Sequence, residues 1–374
     1  MAGAYRFVIL DPRKEKRAWL AALLEPLGSC RWLAPAPMSP RAWPETEARV
    51  EAALAAAIRQ PKGAGRAAKR QLLRWQYNGA RALFARDPEA VAVCWNGTNG
   101  TRRAFCDGAR DAGARVLQAE LAPLPGRLTL DHRGINAGNS LPRDIAFYRR
   151  WLSDSGREPE AWRAVGAAIR QRAPAAPPAA GEAARPMTEP FLFVPLQVPG
   201  DSQLRIYGGA FRTVEAFVST LARAATSLPP GWHLRLKEHP SGPAGVAEIL
   251  RRFHKAPVVL DNATDTFAQV AASRGVVTVN SSVGLEAMWF DKPVAACGET
   301  FWALEGVATP APDEAALRGL FSAPERLTFE PAARAAFLGY IDAVYYPRRP
   351  TAETPPGPED LAKVRAQIDA ARSV

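Results

Sequence analysis

The second half of the chain alternates short apolar runs with longer amphipathic segments, and this alternation limits the fold more than any other feature. The apolar runs that predict strands are 191–196, 232–237, 257–260, 276–279 and 293–296. The segments that predict helices are 211–227, 244–253, 264–273 and 282–290. Strands that alternate with helices of this length form βαβ units around a parallel sheet. We therefore predict a Rossmann-like domain over residues 190–345.

The first half shows a less regular version of the same pattern. Its candidate strands are 5–10, 91–95 and 115–117, and its helical patterns include 13–25, 45–59 and 65–86. Residues 173–189 are rich in Pro and Ala without apolar periodicity, which indicates an exposed linker. The predicted fold class is α/β, with two Rossmann-like domains facing a cleft. The first domain would span 1–172, and a tail over 346–374 would carry a helix at 358–372.

The charge balance points to an anionic partner. The 374 residues include 48 Lys and Arg against 37 Asp and Glu, a formal net charge of +11. Nucleic acid, an anionic membrane surface and an acidic substrate all fit that excess. The 47% hydrophobic content excludes a disordered chain, and no apolar stretch approaches the ~18 residues of a membrane span.

The cysteines and the first residues predict no zinc site and no signal peptide. No two of the four cysteines form a CxxC pair, so they are expected to be reduced structural thiols. The apolar run at 7–10 is short and better suits a buried first strand than a signal peptide. The four cysteines are Cys30, Cys94, Cys106 and Cys297.

Two strands of the second half end in polar turns, which matters because ligands of open α/β sheets bind at the carboxyl ends of strands. Gln197 and Asp201 follow the strand at 191–196, where Asp201 is either a functional carboxylate or a cap of the next element. Lys237 ends the next strand and is followed by His239 and Pro240. A lysine and a histidine there suit a phosphate, although a surface loop is the alternative.

A third polar turn follows the strand at 276–279. It contains Ser281, Ser282 and Gly284 before a predicted helix start. Free backbone N–H groups, the helix dipole and two hydroxyl groups together make a phosphate cradle. Glu286 would face a ribose one turn into that helix, and the alternative is an ordinary capping box. Because the P-loop, GxGxxG, DxD and GxSxG motifs are missing, a metal-independent nucleotide site is what remains.

The first half contains two further polar clusters. Asn96, Gly97 and Asn99 follow the strand at 91–95 and could receive a sugar or a headgroup, with a Gly-rich turn as the alternative. Arg133 and Asn136 belong to a polar loop at 131–144 that fits a binding edge better than a core.

A basic region at 59–86 carries Trp75 and Tyr77, and residues 52–86 contain no Asp or Glu. A basic helix with interfacial aromatics suits an anionic bilayer. It also suits nucleic acid or a protein partner, and a solvated helix face is the commonest alternative. Its basic residues are Arg59, Lys62, Arg66, Lys69, Arg70, Arg74, Arg81 and Arg86.

Three segments in this order and spacing resemble the bacterial capsule polysaccharide biosynthesis family, whose members are β-Kdo glycosyltransferases that use CMP-Kdo. These segments are FLFVPLQVPGDSQL, LKEHP and TVNSSVGLEAMWFDKPV. WNGTNG and DHRGINAGNSLPRDIAFY are similar to its single-module members, which act on a lipid acceptor. The resemblance covers roughly residues 90–300 and is most specific in the second half.

The resemblance implies a GT-B-like fold, with the donor nucleotide in the C-terminal domain and the acceptor in the cleft. Asp201 matches the family's proposed nucleophile, and His239 matches a catalytic contact to the nucleotide phosphate. The expected donor-nucleotide residues are Gln197, Lys237, His239, Pro240, Ser281, Ser282, Gly284 and Glu286. The expected acceptor-side residues are Asn96, Gly97, Asn99, Arg133 and Asn136.

The implied function is retaining transfer of Kdo from CMP-Kdo to a lipid or Kdo-lipid acceptor during synthesis of a capsular polysaccharide linker. No cofactor, metal or nucleic acid is expected. The implied location is the cytoplasm, with peripheral contact at the inner face of the cytoplasmic membrane, and other capsule assembly proteins are further candidate partners. The alternatives are a GT-B transferase using CMP-sialate, a UDP-sugar or a GDP-sugar, and a non-enzymatic protein that binds nucleic acid or lipid.

Overall fold

In a computed structural model, the chain divides into two units. The first unit is Met1–Leu141 with Ala343–Val374, and the second is Pro142–Asp342. The structure describes residues 4–12, 14–57, 59–166, 169, 187–242 and 245–371.

The first unit is built on a five-stranded sheet with the strand order β2-β1-β3-β4-β5. Its strands are β1 (Tyr5–Leu10), β2 (Gly28–Leu33), β3 (Val91–Trp95), β4 (Arg115–Leu121) and β5 (Leu128–Asp131). Its helices before the tail are α1 (Lys14–Leu24), α2 (Thr46–Ala55), α3 (Gly63–Ala85) and α4 (Gly100–Asp111). β1 to β4 pair in parallel, whereas β5 runs antiparallel to β4, with Gln118 opposite Asp131.

The second unit is built on a fully parallel sheet of six strands in the order β11-β10-β9-β6-β7-β8. Its strands are β6 (Phe191–Pro195), β7 (His233–Lys237), β8 (Val258–Leu260), β9 (Gly275–Thr278), β10 (Val294–Ala296) and β11 (Thr309–Pro310). Its helices are α5 (Ile145–Ser155), α6 (Arg163–Gly166), α7 (Ser202–Tyr207), α8 (Val214–Ala224), α9 (Val246–Arg251), α10 (Thr266–Ala272), α11 (Ser282–Ala287), α12 (Glu314–Ser322) and α13 (Pro331–Tyr340).

The sequence explains why these elements form. Every residue of β6 is buried, as expected for a central strand covered on both faces. Thr213, Asp265 and Asp313 cap α8, α10 and α12, because each side chain accepts an N–H from the third residue of its helix. The five strands predicted in the second half and the three predicted in the first are confirmed, with ends that differ by at most four residues. β2, β5 and the short β11 were not predicted.

The unit boundary differs from the predicted domain boundary. Tyr148 and Trp151 of α5 pack edge-to-face against Tyr340 of α13, each with ring centroids 5.2 Å apart. This aromatic packing ties residues 142–166 to the second unit, although they precede the Pro/Ala-rich segment. Most of the predicted linker at 173–189 lies outside the described residues, which resume at 187.

The tail returns to the first unit. A π-helical turn at Ile341–Tyr345 leads to α14 (Pro358–Ala370), which confirms the predicted tail helix. Val364 and Ile368 of α14 are fully buried in a core cluster with Phe7 and Ile9 of β1. The tail is therefore part of the first unit's core and not a separate domain.

Two general features bear on function. Within the described ranges, no helix has the length and apolarity needed to cross a bilayer. All four cysteines are free thiols, and three of them are buried.

Candidate active site

The three polar turns of the second unit leave neighbouring strands of one sheet. β6 lies between β9 and β7, since Leu192 pairs with Gly275 and Pro195 pairs with Lys237. All three strands are parallel, so the turns that follow them emerge at the same edge.

Gln197 connects the turn after β6 with the turn after β9. Its buried side-chain amide nitrogen donates to Oδ1 of Asn280 at 2.9 Å and lies 3.3 Å from Oδ2 of Asp201. The amide nitrogen of Asn280 in turn donates to the carbonyl oxygen of Gln203 at 3.2 Å. The two turns are therefore fixed to each other by side-chain amides.

Asp201 is the N-cap of α7. Its Oδ1 accepts the backbone N–H of Gln203 at 2.9 Å, so the capping alternative is confirmed. The preceding Gly200 has φ +79°, a left-handed conformation that makes the turn. Oδ2 faces the amide of Gln197, so both carboxylate oxygens receive hydrogen bonds and the side chain has a fixed direction.

The turn after β7 holds His239 in a defined orientation. Nδ1 of its ring accepts the backbone N–H of Ser241 at 3.1 Å. A neutral ring with this contact carries its proton on Nε2, a tautomer assigned from the hydrogen bond. Pro240 is exposed at the outer side of the turn.

A pair of residues that the sequence did not single out supports this turn. The backbone N–H of Glu238 donates to Oδ1 of Asn262 at 2.9 Å, and the amide of Asn262 donates back to the Glu238 carboxylate at 2.9 Å. The other carboxylate oxygen of Glu238 accepts the N–H of Val246 at 3.1 Å. The sequence signal that could have identified Asn262 is its position directly after β8, at the same edge of the sheet.

Lys237 contacts the protein backbone, whereas the sequence predicted a contact to the donor phosphate. Its ammonium group donates to the carbonyl oxygens of Asn262 at 2.6 Å and Thr264 at 2.7 Å. A lysine bound to two backbone carbonyls holds the loop after β8 in place. Its position at the end of β7 was predicted, but its partner is the protein.

A buried ion pair also connects β7 with the loop that Lys237 holds. Arg235 pairs with Asp261, and each side chain is only 1% exposed. Burial alone would raise the pKa of Asp261, but hydrogen bonds from Thr264 and Arg235 outweigh it and hold that pKa below its usual range. The carboxylate therefore stays ionised and fixes the loop.

The serine turn after β9 provides a helix cap, but the glutamate that follows it is buried. Ser281 is the N-cap of α11, and its Oγ accepts the N–H of Val283 at 3.3 Å. Glu286 lies five residues beyond the cap, so the two do not form a capping box, and its side chain is buried. That burial contradicts the expected ribose-facing position. Ser282, the first residue of α11, is half-buried.

Gly284 packs closely against its neighbours at the start of α11. Its N–H donates to the carbonyl oxygen of Ser281 at 3.0 Å. A Cβ atom at this position would lie 2.8 Å from Thr278 Cγ2 and 2.9 Å from Trp302. Glycine is therefore required for α11 to pack closely against its neighbours.

In the first unit, the turn at 96–99 closes on itself. Asn96 has φ +67°, and its amide nitrogen donates to Glu120 at 2.9 Å. Its side-chain oxygen accepts the hydroxyl of Thr98 at 2.6 Å. Gly97 approaches Gln118 so closely that a Cβ atom would lie 2.6 Å from it. Asn99 occupies the N-cap position of α4 without a side-chain cap.

The loop at 131–144 is organised by one buried carboxylate. Asp131 accepts the N–H groups of Arg133 at 2.7 Å and Gly134 at 2.9 Å. It also accepts the N–H and the hydroxyl of Ser140, at 2.9 and 2.6 Å, and the hydroxyl of Tyr345 at 2.6 Å. Five donors on one carboxylate indicate that this polar loop is built for structure.

The two clusters expected on the acceptor side do not meet. The turn at 96–99 leaves the sheet at the carboxyl end of β3, and Asn96 reaches Glu120 near the end of β4. Arg133 instead lines a cavity of about 870 Å³ with Gly113 and Arg115, at the amino end of β4. The reason is that β5 runs antiparallel, so the loop that carries Arg133 and Asn136 leaves the sheet in the other direction.

Across the described part of the chain, no three His, Cys, Asp or Glu side chains are grouped so that they could hold a metal ion. The turns carry the carboxylates of Asp201 and Glu238, one imidazole, hydroxyls and amides, and the imidazole, hydroxyls and amides suit a phosphate and a sugar.

Comparisons with known proteins show what the chain is similar to. Residues 160–326 match the family described as "Capsule polysaccharide biosynthesis protein", and the three turns lie inside that segment. The chain is 27% identical over 274 residues to protein FixF of Sinorhizobium fredii (strain NBRC 101917 / NGR234). That match covers 71% of this chain and 62% of FixF, so the chain spans less than two thirds of that relative.

Two solved structures of KpsC from Thermosulfurimonas dismutans share the fold. The β Kdo 2,7 transferase has a TM-score of 0.56, covering 97% of this chain and 98% of that one. The β Kdo 2,4 transferase has a TM-score of 0.53 and covers 98% of both chains. At 15% identity in each case, the likeness shows the fold, which is the predicted GT-B-like α/β class. The segment that contains the three turns is thus similar to the capsule polysaccharide biosynthesis protein family.

Proposed function

We propose that this protein is a retaining β-Kdo glycosyltransferase that uses CMP-Kdo and transfers Kdo to a lipid or Kdo-lipid acceptor in capsular linker synthesis. The observation that carries the proposal is the set of three fixed turns at one sheet edge, two of which are joined by Gln197. The segment matched by the capsule polysaccharide biosynthesis family and the fold shared with two β Kdo transferases support the choice of sugar.

The donor phosphate would lie between His239 and the serine turn. His239, whose Nδ1 accepts the Ser241 N–H, would contact a phosphate oxygen from this fixed orientation. The hydroxyl groups of Ser281 and Ser282 are at the end of β9, two strands away across β6. CMP leaves as an anion, so fixed donors lower the barrier by stabilising the departing charge.

Asp201 would act as the nucleophile. One carboxylate oxygen attacks the anomeric carbon of Kdo, the bond from that carbon to the phosphate oxygen breaks, and its electron pair leaves with CMP. An acceptor hydroxyl then attacks the same carbon, the ester bond breaks, the carboxylate of Asp201 is restored, and the hydroxyl proton passes to solvent. Two successive inversions give net retention.

The hydrogen bonds of Asp201 fit this role through orientation. The Gln203 N–H fixes Oδ1, and the Gln197 amide directs Oδ2. A nucleophile held in one direction loses less entropy on reaching the transition state. Asn280 contributes by fixing the Gln197 amide from its other side.

On the acceptor side, the turn at 96–99 would contact the acceptor, whereas Arg133 and Asn136 would not, because their loop lies at the other end of β4. No metal or cofactor would take part. The protein would act in the cytoplasm, at the inner face of the cytoplasmic membrane.

The direct experiment combines purified protein, CMP-Kdo and a short lipid acceptor, with the product weighed by mass spectrometry. A product heavier than the acceptor by one Kdo residue, with CMP released, supports the proposal. Thermal shifts with CMP, UDP and GDP form the control, because a ligand of the native state stabilises it. A larger shift with UDP or GDP, together with no Kdo transfer, would point to another sugar nucleotide.

A further inference from the structure

The arginines on one side of α3 are paired with acidic residues. Arg70 lies 2.5 Å from Glu47 and 2.9 Å from Glu51 of α2. Arg66 lies 3.3 Å from Glu51, and Arg74 lies 3.2 Å from Glu47. These three arginines join α3 to α2, so they do not form the open basic face that the sequence suggested.

Another side of α3 is apolar and exposed along its first three turns. Ala64, Ala68, Leu72 and Trp75 are spaced three or four residues apart, which places them on one helix face. Leu72 and Trp75 are each 42% exposed. Charged residues are missing from these positions.

The loop before α2 extends this face. The N–H of Ser39 donates to the carbonyl oxygen of Trp75 at 3.0 Å, and a Cβ atom on Gly79 would lie 2.5 Å from the backbone nitrogen of Met38. Met38 is 57% exposed and so continues the face beyond Trp75. We call Met38, Leu72 and Trp75, with the small residues between them, the apolar stripe.

The apolar stripe concentrates exposed hydrophobic surface in one place. Four large hydrophobic side chains are exposed in the described part of the chain, and three of them are in the stripe. The fourth, Leu121, lies at the end of β4. Clustered exposed apolar side chains mark an interaction site, whereas single ones are ordinary.

The charge around the stripe identifies the kind of partner. Residues 45–86 contain nine basic and three acidic side chains, and two of the three acids are the ones paired with α3 arginines. Lys62 at the start of α3 and Arg41 beyond Ser39 are both exposed. An exposed tryptophan, leucine and methionine with basic neighbours match the interfacial zone of an anionic bilayer.

We propose that the apolar stripe inserts into the surface of an anionic lipid bilayer, with Lys62 and Arg41 at the headgroups. Only three large side chains enter the interface, so the electrostatic contribution is required and binding falls as salt rises. The inference deepens the proposed function by bringing the enzyme to a lipid-borne acceptor. The experiment below uses neither CMP-Kdo nor a Kdo acceptor, so the lipid-binding inference and the proposed function can fail independently of each other.

The experiment is cosedimentation of the full chain with vesicles of equimolar phosphatidylglycerol and phosphatidylcholine, compared with phosphatidylcholine alone. We expect binding to the anionic vesicles that is lost in high salt. The double variant Leu72→Ser/Trp75→Ser should bind about tenfold more weakly. Leu121→Ser removes the other exposed hydrophobic side chain and should bind like the unaltered chain.

Three results would overturn the inference. The first is no binding of the unaltered chain to anionic vesicles, and the second is equal binding by the double variant. The third is a change from oligomer to monomer in the double variant without vesicle binding, which would assign the stripe to a second copy. Circular dichroism melting shows whether each variant is folded, and these solvent-facing changes should alter stability little.

Discussion

The side-chain amide of Gln197 donates to Oδ1 of Asn280 across a distance of 2.9 Å, which joins the turns that follow β6 and β9. These turns are 83 positions apart in the chain. The same nitrogen lies 3.3 Å from Asp201, so one amide fixes both the adjoining turn and the proposed nucleophile.

Replacing Gln197 should therefore impair catalysis more than folding. We expect Gln197→Ala to lower kcat/KM for CMP-Kdo by about tenfold or more, because Asp201 and Asn280 lose their shared donor. Gln203→Ala is the matched control, since the contacts of Gln203 with Asp201 and Asn280 use backbone atoms. Steady-state kinetics of both variants check this, and equal losses would contradict the role given to Gln197.

Lys237 should prove structural. Its ammonium group binds two backbone carbonyls of the loop after β8, so Lys237→Met should lower the free energy of unfolding by about 1–3 kcal/mol. Urea unfolding measures this change. CMP affinity of the folded variant, measured by calorimetry, should stay within about threefold of the original value. A large loss of CMP affinity at unchanged stability would instead indicate that Lys237 contacts the donor phosphate.

Asp131 should be among the most sensitive positions of the first unit. Asp131→Ala leaves five donors without their acceptor, and we expect a loss of about 3–5 kcal/mol in unfolding free energy. Asp144→Ala removes only the N-cap of α5 and should cost about 1 kcal/mol. Similar losses for the two variants would show that the Asp131 network is not critical.

The stability of the second unit should depend on pH through His233. Burial, followed by the charge of Arg235, lowers the pKa of this histidine. The unfolded chain then takes up a proton more readily than the native protein below its ordinary pKa of about 6.5. Stability should be complete above that pH and fall as the pH drops toward the native pKa.

Thermal melting of two histidine variants from pH 8 down to about pH 5 tests this dependence. His233→Phe keeps a ring against Phe191, whose centroid lies 5.5 Å away, and removes the titrating group. The variant should lose part of the acid-side decline in melting temperature, whereas His254→Phe at an exposed position should not. An unchanged pH profile in His233→Phe would show that another group titrates.

Most of the second unit could be predicted from the sequence, because its apolar runs coincide with the strands that form. Its strands are apolar runs buried on both faces, so β6, β7 and β9 could be located with Gln197, Asp201 and His239 at their ends. Parallel pairing then brings those ends to one edge without further information.

The remaining features depend on contacts between distant residues. Nothing local indicates that Tyr148 packs on Tyr340, so a Pro/Ala-rich segment was mistaken for the boundary of the second unit. The antiparallel direction of β5 depends on its pairing with β4, which determines where Arg133 lies. The partner of Lys237 is likewise set by the loop after β8, which is 25 residues away from it.

Asp201 would have two roles, since it caps α7 and would also be the nucleophile. Asp201→Asn separates the two roles, since asparagine caps a helix about as well as aspartate but is not a comparable nucleophile. Asp201→Ala removes both roles and serves as the comparison. Thermal melting should place Asp201→Asn close to the unaltered protein and Asp201→Ala below it.

The most direct measurement is the transfer rate of Asp201→Asn with CMP-Kdo, together with the mass of the protein during turnover. We expect Asp201→Asn to be folded and to transfer Kdo at a rate lower by at least about a thousandfold. We expect the unaltered protein to carry one Kdo residue on Asp201 when acceptor is withheld. Transfer by Asp201→Asn at a rate near that of the unaltered protein would contradict the nucleophile assignment.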